Sequence, residues 1–291
     1  MLLTEFVDRI YRPLRLRQRS PNTTRLHHQA VARLGDHLGR PATVDDLVDE
    51  LMLSAHLEAR AATRSPWTVE RERSSLLALA RLAWERGMIP RLPVCPPAPM
   101  PLRTPTAWTV EELRRLFASA AAETHPVGPV SGGVWWGALL ALLWESGERI
   151  GAVLDCRTSD LKGNVLTVRT ECRKGRRHDR VIALSEATAD RVREAHATGR
   201  AELLWWPTAR ASLWLRFRAV CSRAGLRGDR VGFQRLRGSA ASWIAAAGGD
   251  APEFLGHATG SGGKVASTWY VDPRVRPKRE PHRMLPEISG K

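Results

Sequence analysis

The sequence predicts a mainly α-helical protein with a small antiparallel β-sheet, divided into two domains. The chain has 291 residues, and domains usually hold about 100–200 residues. Apolar residues recur at helical spacing along most of the chain, whereas short β-branched runs are confined to one region. Seven prolines lie between residues 89 and 106, where no helix can continue. We therefore assign residues 1–98 to one domain, 99–106 to a proline-rich linker and 107–291 to a second domain.

The first domain is predicted to be a bundle of four helices. The first helix covers about residues 2–16, and the second begins at Ser20-Pro21, where serine caps and proline fits the first turn. The third follows Thr43. The fourth opens at Ser65-Pro66 with the same start signal.

The second domain is predicted to be helical around a small sheet. Thr109 and Glu112 form the pattern of a capping box at its start. An apolar helix is expected over about residues 134–144, and two strands over 164–168 and 180–184. Further helices are expected at about residues 186–197, 209–224, 234–247 and 265–270.

The charge of the chain favours a polyanionic partner. Lys and Arg number 45 against 30 acidic residues, which gives a net charge of +15, and all but five of the 45 are arginines. Residues 1–98 hold 15 arginines and 11 acids, so most of the excess lies in the second domain. Guanidinium groups bind phosphate oxygens two at a time, so nucleic acid is the first candidate and an acidic membrane surface the second. On composition alone, a codon bias towards arginine explains the excess equally well.

Several protein classes are excluded on sequence grounds. No apolar stretch is long enough for a membrane span, and the first residues lack the pattern of a secretory signal. The four cysteines form no C-x-x-C pair, which argues against a zinc site or a disulfide framework and favours a reduced, cytoplasmic location. No cluster of Asp, Glu and His has metal-ligand spacing, so neither a metal nor another cofactor is expected.

Four segments of the second domain carry the groups that phosphodiester chemistry without a metal needs. Such chemistry requires cations on the phosphate, a proton donor for the leaving oxygen and a hydroxyl nucleophile. In residues 141–151 an apolar helix leads to Gly147, which we expect to end it in a left-handed conformation, and then to Arg149. Residues 173–184 place Lys174 before a strand. A lysine can release its proton near neutral pH, whereas an arginine cannot.

The other two segments lie further along the chain. Residues 232–243 contain Gln234 and, three residues later, Arg237. Leu255-Gly256-His257 is followed by Tyr270, one of only two tyrosines in the chain.

In this order the four segments resemble the motifs of the tyrosine recombinases, the family of phage integrases and Xer-type recombinases. The resemblance covers about residues 134–273 by motif and extends more weakly to residues 1–98. It implies a helical, SAM-like core-binding domain followed by a catalytic domain with a basic tail. It also implies a catalytic set of six residues: Arg149, Lys174, Gln234, Arg237, His257 and Tyr270.

The resemblance further implies the activity. Tyrosine recombinases close around double-stranded DNA as a clamp and cleave and rejoin strands through a 3′-phosphotyrosine, with no cofactor. By this resemblance Tyr270 is the nucleophile and Lys174 the general acid, and the other four residues hold the phosphate. A homo-tetramer acting on two DNA sites is implied. The basic tail, residues 274–291, either packs on a neighbouring subunit or is solvated.

This chain departs from the family pattern at four places. Gln234 stands where histidine is commonest and Gly238 replaces a second histidine. Ala152 stands where an acid often braces the site, and Glu148 or Asp155 is the candidate replacement.

The fourth departure is the spacing of 13 residues from His257 to Tyr270, which is longer than usual in the family. These departures keep open a catalytically silent DNA-binding accessory protein derived from a recombinase. A type IB topoisomerase-like enzyme with the same tyrosine chemistry is the other alternative.

Overall fold

The computed structural model describes residues 1–17, 20–101, 104–173, 178–228, 231–256 and 270–272. The chain forms two compact units, residues 1–103 and 104–291. Both are mainly helical and the second contains a three-stranded antiparallel sheet, so the predicted fold class is confirmed. Within these ranges no helix is both long and apolar enough to cross a bilayer.

The first unit is a bundle of helices around one apolar core, as predicted. Ser20 and Ser65 cap their helices by accepting from the backbone N–H groups of Asn22 and Thr68. Its helices are α1 (Leu3–Phe6), a π-helical stretch (Val7–Tyr11), α2 (Arg12–Arg15), α3 (Pro21–Leu38), a 3-10 turn (Asp45–Val48), α4 (Glu50–Ala61) and α5 (Pro66–Glu85).

The third helix of this unit begins later than the sequence predicted. The Asp46 carboxylate accepts hydrogen bonds from the Thr43 backbone N–H and hydroxyl at 2.7 and 2.8 Å. This side chain holds the chain in a 3-10 turn after Thr43. Asp49 then caps α4 by accepting from the Met52 N–H at 2.9 Å.

The second unit is built around α7, of whose fifteen residues ten are buried. The predicted capping box is present, because Thr109 and Glu112 each accept from the other's backbone N–H. The helices are α6 (Val110–Ala121), α7 (Gly132–Ser146), α8 (Ile150–Leu154), α9 (Glu186–Glu194), α10 (Arg210–Arg223), α11 (Phe233–Ala246) and α12 (Ala251–Phe254).

The sheet of the second unit has the order β1-β2-β3, with both pairs antiparallel. Its strands are β1 (Leu161–Lys162), β2 (Val165–Val168) and β3 (Arg180–Ala183). Leu166, Val168 and Ile182 point into the core. The chain that joins β2 to β3 therefore begins and ends at strands whose side chains pack in the core.

Two short helices were not predicted, α8 and α12, with five and four residues. Segments this short carry no readable periodicity. The helix predicted at residues 265–270 lies outside the described residues except for Tyr270.

Candidate active site

Arg149 is positioned by the end of helix α7. Gly147 terminates the helix with φ +59°, the left-handed conformation that the sequence predicted. A Cβ atom at this position would lie 2.5 Å from the ring of Phe254, so only glycine fits. The chain then turns outward, and Arg149 occupies the N-cap position of α8 in an extended conformation. Its side chain is partly exposed and reaches a pocket on the surface of the unit.

Arg237 lies on the first turns of α11 and is buried, with 2% of its surface exposed. Its guanidinium donates to the carbonyl of Gly147 and, at 2.8 Å, to that of Leu255. Burial and the nearby charge of Arg149 lower the pKa of Arg237 to about 10, so it stays a cation at neutral pH. Within the described part of the chain, its buried Nε has no hydrogen-bond partner.

The segment that carries Tyr270 is held against α11 by hydrogen bonds and apolar packing. The Ser242 hydroxyl accepts from the Asp272 N–H at 2.8 Å and lies 3.2 Å from the Tyr270 carbonyl oxygen. Val271 is buried against the same helix. A Cβ atom at Gly238 would lie 3.3 Å from the Tyr270 carbonyl oxygen, so glycine at this position permits the close approach. The structure thus gives a physical reason for the glycine that replaces the second histidine of the family pattern.

The Tyr270 hydroxyl lies among cationic and amide groups. The side chains of Arg149 and Gln234 hydrogen-bond to it, and the Arg237 guanidinium carbon is 5.4 Å from the ring centroid. Burial raises the pKa of the phenol, but the charges of Arg237 and Arg149 and the two hydrogen bonds outweigh it, so the pKa lies below its ordinary value. This environment favours the phenolate, which is the nucleophilic form.

A buried carboxylate accompanies the arginines. Glu148 is 1% exposed and forms ion pairs with Arg180 at 3.0 Å and with Arg173 at 3.2 Å. Of the two acids considered as replacements for the one missing at Ala152, Glu148 therefore lies inside the site. Asp155 instead pairs with Arg210 at the surface.

The site opens into a pocket of about 400 Å³ whose cationic lining suits an anion. Three arginines outnumber two carboxylates in its lining, which contains Arg149, Arg173, Arg237, Glu148, Asp155, Gln234 and Trp214. A second pocket, of about 550 Å³, contains Tyr270 and shares Gln234 and Trp214 with the first. Across the described ranges, no group of three or more Asp, Glu, His or Cys side chains is arranged to hold a metal ion.

The structure brings four of the six predicted residues together: Arg149, Gln234, Arg237 and Tyr270. Lys174 and His257 lie outside the described residues, so their places in the site stay a prediction. Gln234, expected to contact the phosphate, here hydrogen-bonds to the phenol.

Sequence reasoning missed Arg173 and Arg180. They belong to a basic run around Lys174, and no local signal separates a buried arginine from a solvated one in such a run.

Comparisons with known proteins identify the fold. No protein-family model matches the chain, and no curated protein matches it. Among solved structures, a lambda integrase dimer bound to a core site aligns with a TM-score of 0.73 and 19% identity, over 96% of this chain and 80% of that one. The Tn1549 transposon integrase in complex with transposon right-end DNA gives 0.71 and 13% over 98% of each chain. XerH recombinase in a post-cleavage complex gives 0.66 and 17%, over 89% of this chain and 79% of its own. These proteins are tyrosine recombinases, and the likeness shows that this chain has their fold.

Proposed function

We propose that this chain is a site-specific DNA recombinase that cleaves and rejoins strands through a phosphotyrosine at Tyr270. The observation that carries the proposal is the hydrogen bonding of the Tyr270 hydroxyl to Arg149 and Gln234 beside the buried Arg237. A tyrosine in such a place is preset for attack on an anionic phosphodiester, because the same arginines neutralise the phosphate oxygens.

The chemical step follows from these groups. The Tyr270 hydroxyl gives its proton to water and its oxygen attacks phosphorus, and the bond between phosphorus and the 5′ oxygen breaks. Arg149 and Arg237 stabilise the charge on the non-bridging oxygens. Lys174 donates a proton to the leaving 5′ oxygen, and His257 completes the phosphate contacts. Attack by a 5′ hydroxyl on the phosphotyrosine reverses the step and rejoins the strand, with no ATP and no metal.

The proposed partner is double-stranded DNA, with a homo-tetramer on two DNA sites as the working assembly. The net charge of +15 supports a polyanionic partner. The similar structures were determined as DNA complexes, and lambda integrase also as a tetramer bound to a Holliday junction. In this proposal residues 1–98 supply DNA contacts and residues 107–291 the chemistry.

A covalent-capture selection tests the proposal. The protein is mixed with nicked duplexes that carry a randomised core, in EDTA, and DNA that stays attached after denaturation is recovered and sequenced. We expect enrichment of a defined site and a DNA-linked peptide containing Tyr270. The control is Tyr270→Phe, which removes only the hydroxyl. Recovery of no adduct above this control would overturn the proposal.

The two alternatives predict different outcomes. A silent accessory protein binds DNA equally well with and without the Tyr270 hydroxyl and forms no adduct. A topoisomerase-like enzyme forms the adduct and relaxes supercoiled DNA but exchanges no strands between two sites.

A further inference from the structure

Glu148 connects parts of the second unit that are distant in sequence. Its Oε1 lies 3.2 Å from Arg173 Nε and 3.0 Å from Arg180 Nη1. Its Oε2 accepts from the Arg149 backbone N–H at 3.2 Å and lies 3.9 Å from Arg237 Nη1. One buried carboxylate therefore contacts the β2–β3 connection, helix α11 and the turn that carries Arg149.

The three arginines reach from this carboxylate to a second segment. Three consecutive carbonyls, those of residues 254–256, each accept a hydrogen bond from a different one of these arginines. The bonds are Arg180 Nη2 to Phe254 at 2.6 Å, Arg237 Nη2 to Leu255 at 2.8 Å and Arg173 Nη2 to Gly256 at 3.2 Å. A Cβ atom at Gly256 would lie 2.3 Å from Arg173 Nη2, so the glycine allows this close contact. Residues 254–256 are thus connected to Glu148 by the hydrogen bonds and ion pairs of the three guanidinium groups.

Residues of this network are next to predicted site residues in the sequence. Arg173 immediately precedes Lys174, and Arg180 is the first residue of β3 beyond it. Gly256 immediately precedes His257. The network therefore holds Arg173 and Gly256 in place. Each is the last described residue before a predicted site residue, Lys174 or His257, that lies outside the described ranges.

We propose that Glu148 is a positioning residue. It holds Arg173, from which the chain continues to the proton donor Lys174, and residues 254–256, from which the chain continues to the phosphate contact His257. This inference rests on the proposed function. Glu148 replaces the acid missing at Ala152, but it acts from the residue before Arg149 rather than three residues after it. Its charge is required because, of the acids in the described residues, it alone pairs with Arg173, Arg180 and Arg237. Without it, three buried guanidiniums repel one another and loosen both segments.

The test compares two substrates that differ in the leaving atom. Both are the nicked duplex recovered by the selection above, one with the natural 5′ oxygen at the scissile bond and one with sulfur there. A thiolate leaves without a proton, so the sulfur substrate does not need the general acid. For Glu148→Gln we expect adduct formation at least ~10-fold slower with oxygen but within ~3-fold of the wild type with sulfur. An equal loss on both substrates, or no loss, would overturn the positioning role.

Matched variants separate this role from general damage. Glu171→Gln removes an exposed carboxylate that pairs with Arg169 nearby and is expected to cleave both substrates like the wild type. Arg173→Gln leaves Glu148 in place but cuts its connection to Lys174. It gives the same sulfur-selective rescue as Glu148→Gln, and it tests the proposal even where Glu148→Gln does not fold.

A measurement without DNA distinguishes failure of this inference from failure of the proposed function. The chain has only five lysines, so brief labelling with acetic anhydride at one pH reports on the reactivity of each one by mass spectrometry. In Glu148→Gln we expect Lys174 to label faster, because its segment is loosened, and Lys162, on β1, to label at the wild-type rate. An unchanged labelling rate of Lys174 overturns the inference. Absence of a wild-type adduct on both substrates overturns the proposed function, and faster labelling of Lys174 still shows that Glu148 controls that segment.

Discussion

The two tyrosines of the chain lie in opposite electrostatic environments. Burial raises the pKa of Tyr11 in the first unit, although Arg15 partly offsets it. Tyr270 is also partly buried, but its two arginines and Gln234 lower its pKa. The rarity of tyrosine and its place after Leu255-Gly256-His257 were sufficient to single out Tyr270 from the sequence. The hydrogen bond from Gln234 was not predictable, because it depends on how α11 approaches a segment more than 30 residues away.

We predict that the phenolate absorbance of the protein rises in two steps as the pH increases, with Tyr270 titrating first. Replacing Gln234 by Ala removes one hydrogen bond to the phenolate and shifts the early step to higher pH. Tyr11→Phe removes the late step and assigns it, and Gln29→Ala in the first unit is the matched control. An early step that vanishes in Tyr11→Phe contradicts the assignment.

At the level of the elements, local signals located three of the helices that carry their own caps. Ser20, Ser65 and Thr109 were all read correctly as N-caps, because a cap is decided by residues within one turn. The short helices α8 and α12 were missed because they are too short to show a helical period, although Asp250 caps α12 by accepting from the Glu253 N–H. The sequence predicted that Gly147 ends its helix, but it did not predict that Phe254 packs closely against this glycine.

We predict that Gly147→Ala destabilises the second unit by about 2–3 kcal/mol, from a left-handed φ and from a clash with Phe254. The matched control is Gly137→Ala in the same helix, where a Cβ atom meets nothing within 4 Å. It is expected to stabilise the helix by roughly 0.5–1 kcal/mol. Urea unfolding followed by tryptophan fluorescence measures both changes. Equal effects of the two substitutions would show that the Gly147 turn is not under this constraint.

At the scale of the whole molecule, the sequence predicts a linker at residues 99–106, and the structure forms two compact units, residues 1–103 and 104–291. The proline cluster carries this prediction because it interrupts helical periodicity over many residues. The arginine excess alone does not identify the partner, because both DNA binding and codon bias produce it.

Salt dependence separates these two origins of the charge. Binding that neutralises DNA phosphates releases counterions, so the logarithm of affinity falls with the logarithm of salt concentration by about 0.9 per contacted phosphate. We predict a slope of at least about 5 for a duplex of arbitrary sequence, measured by fluorescence anisotropy. A slope well below this value would favour codon bias as the source of the arginines.

The stability of the first unit is predicted to depend on pH chiefly through the buried His56, with a smaller contribution of the same sign from the buried His27, whose pKa is also lowered by burial. Burial, His37 and two arginines lower the pKa of His56 from 6.5 to about 4, although the charge of Glu72 opposes this. The unfolded chain therefore binds the proton at a higher pH than the folded chain. Stability is complete above about pH 6.5 and declines as the pH falls towards 4, at up to about 1.4 kcal/mol per pH unit. His56→Leu should flatten this decline in thermal unfolding, whereas His28→Leu, at an exposed pair with Asp8, should leave it intact. If His56→Leu and the wild type lose stability in parallel between pH 6.5 and 4, other groups control the acid sensitivity of the unit.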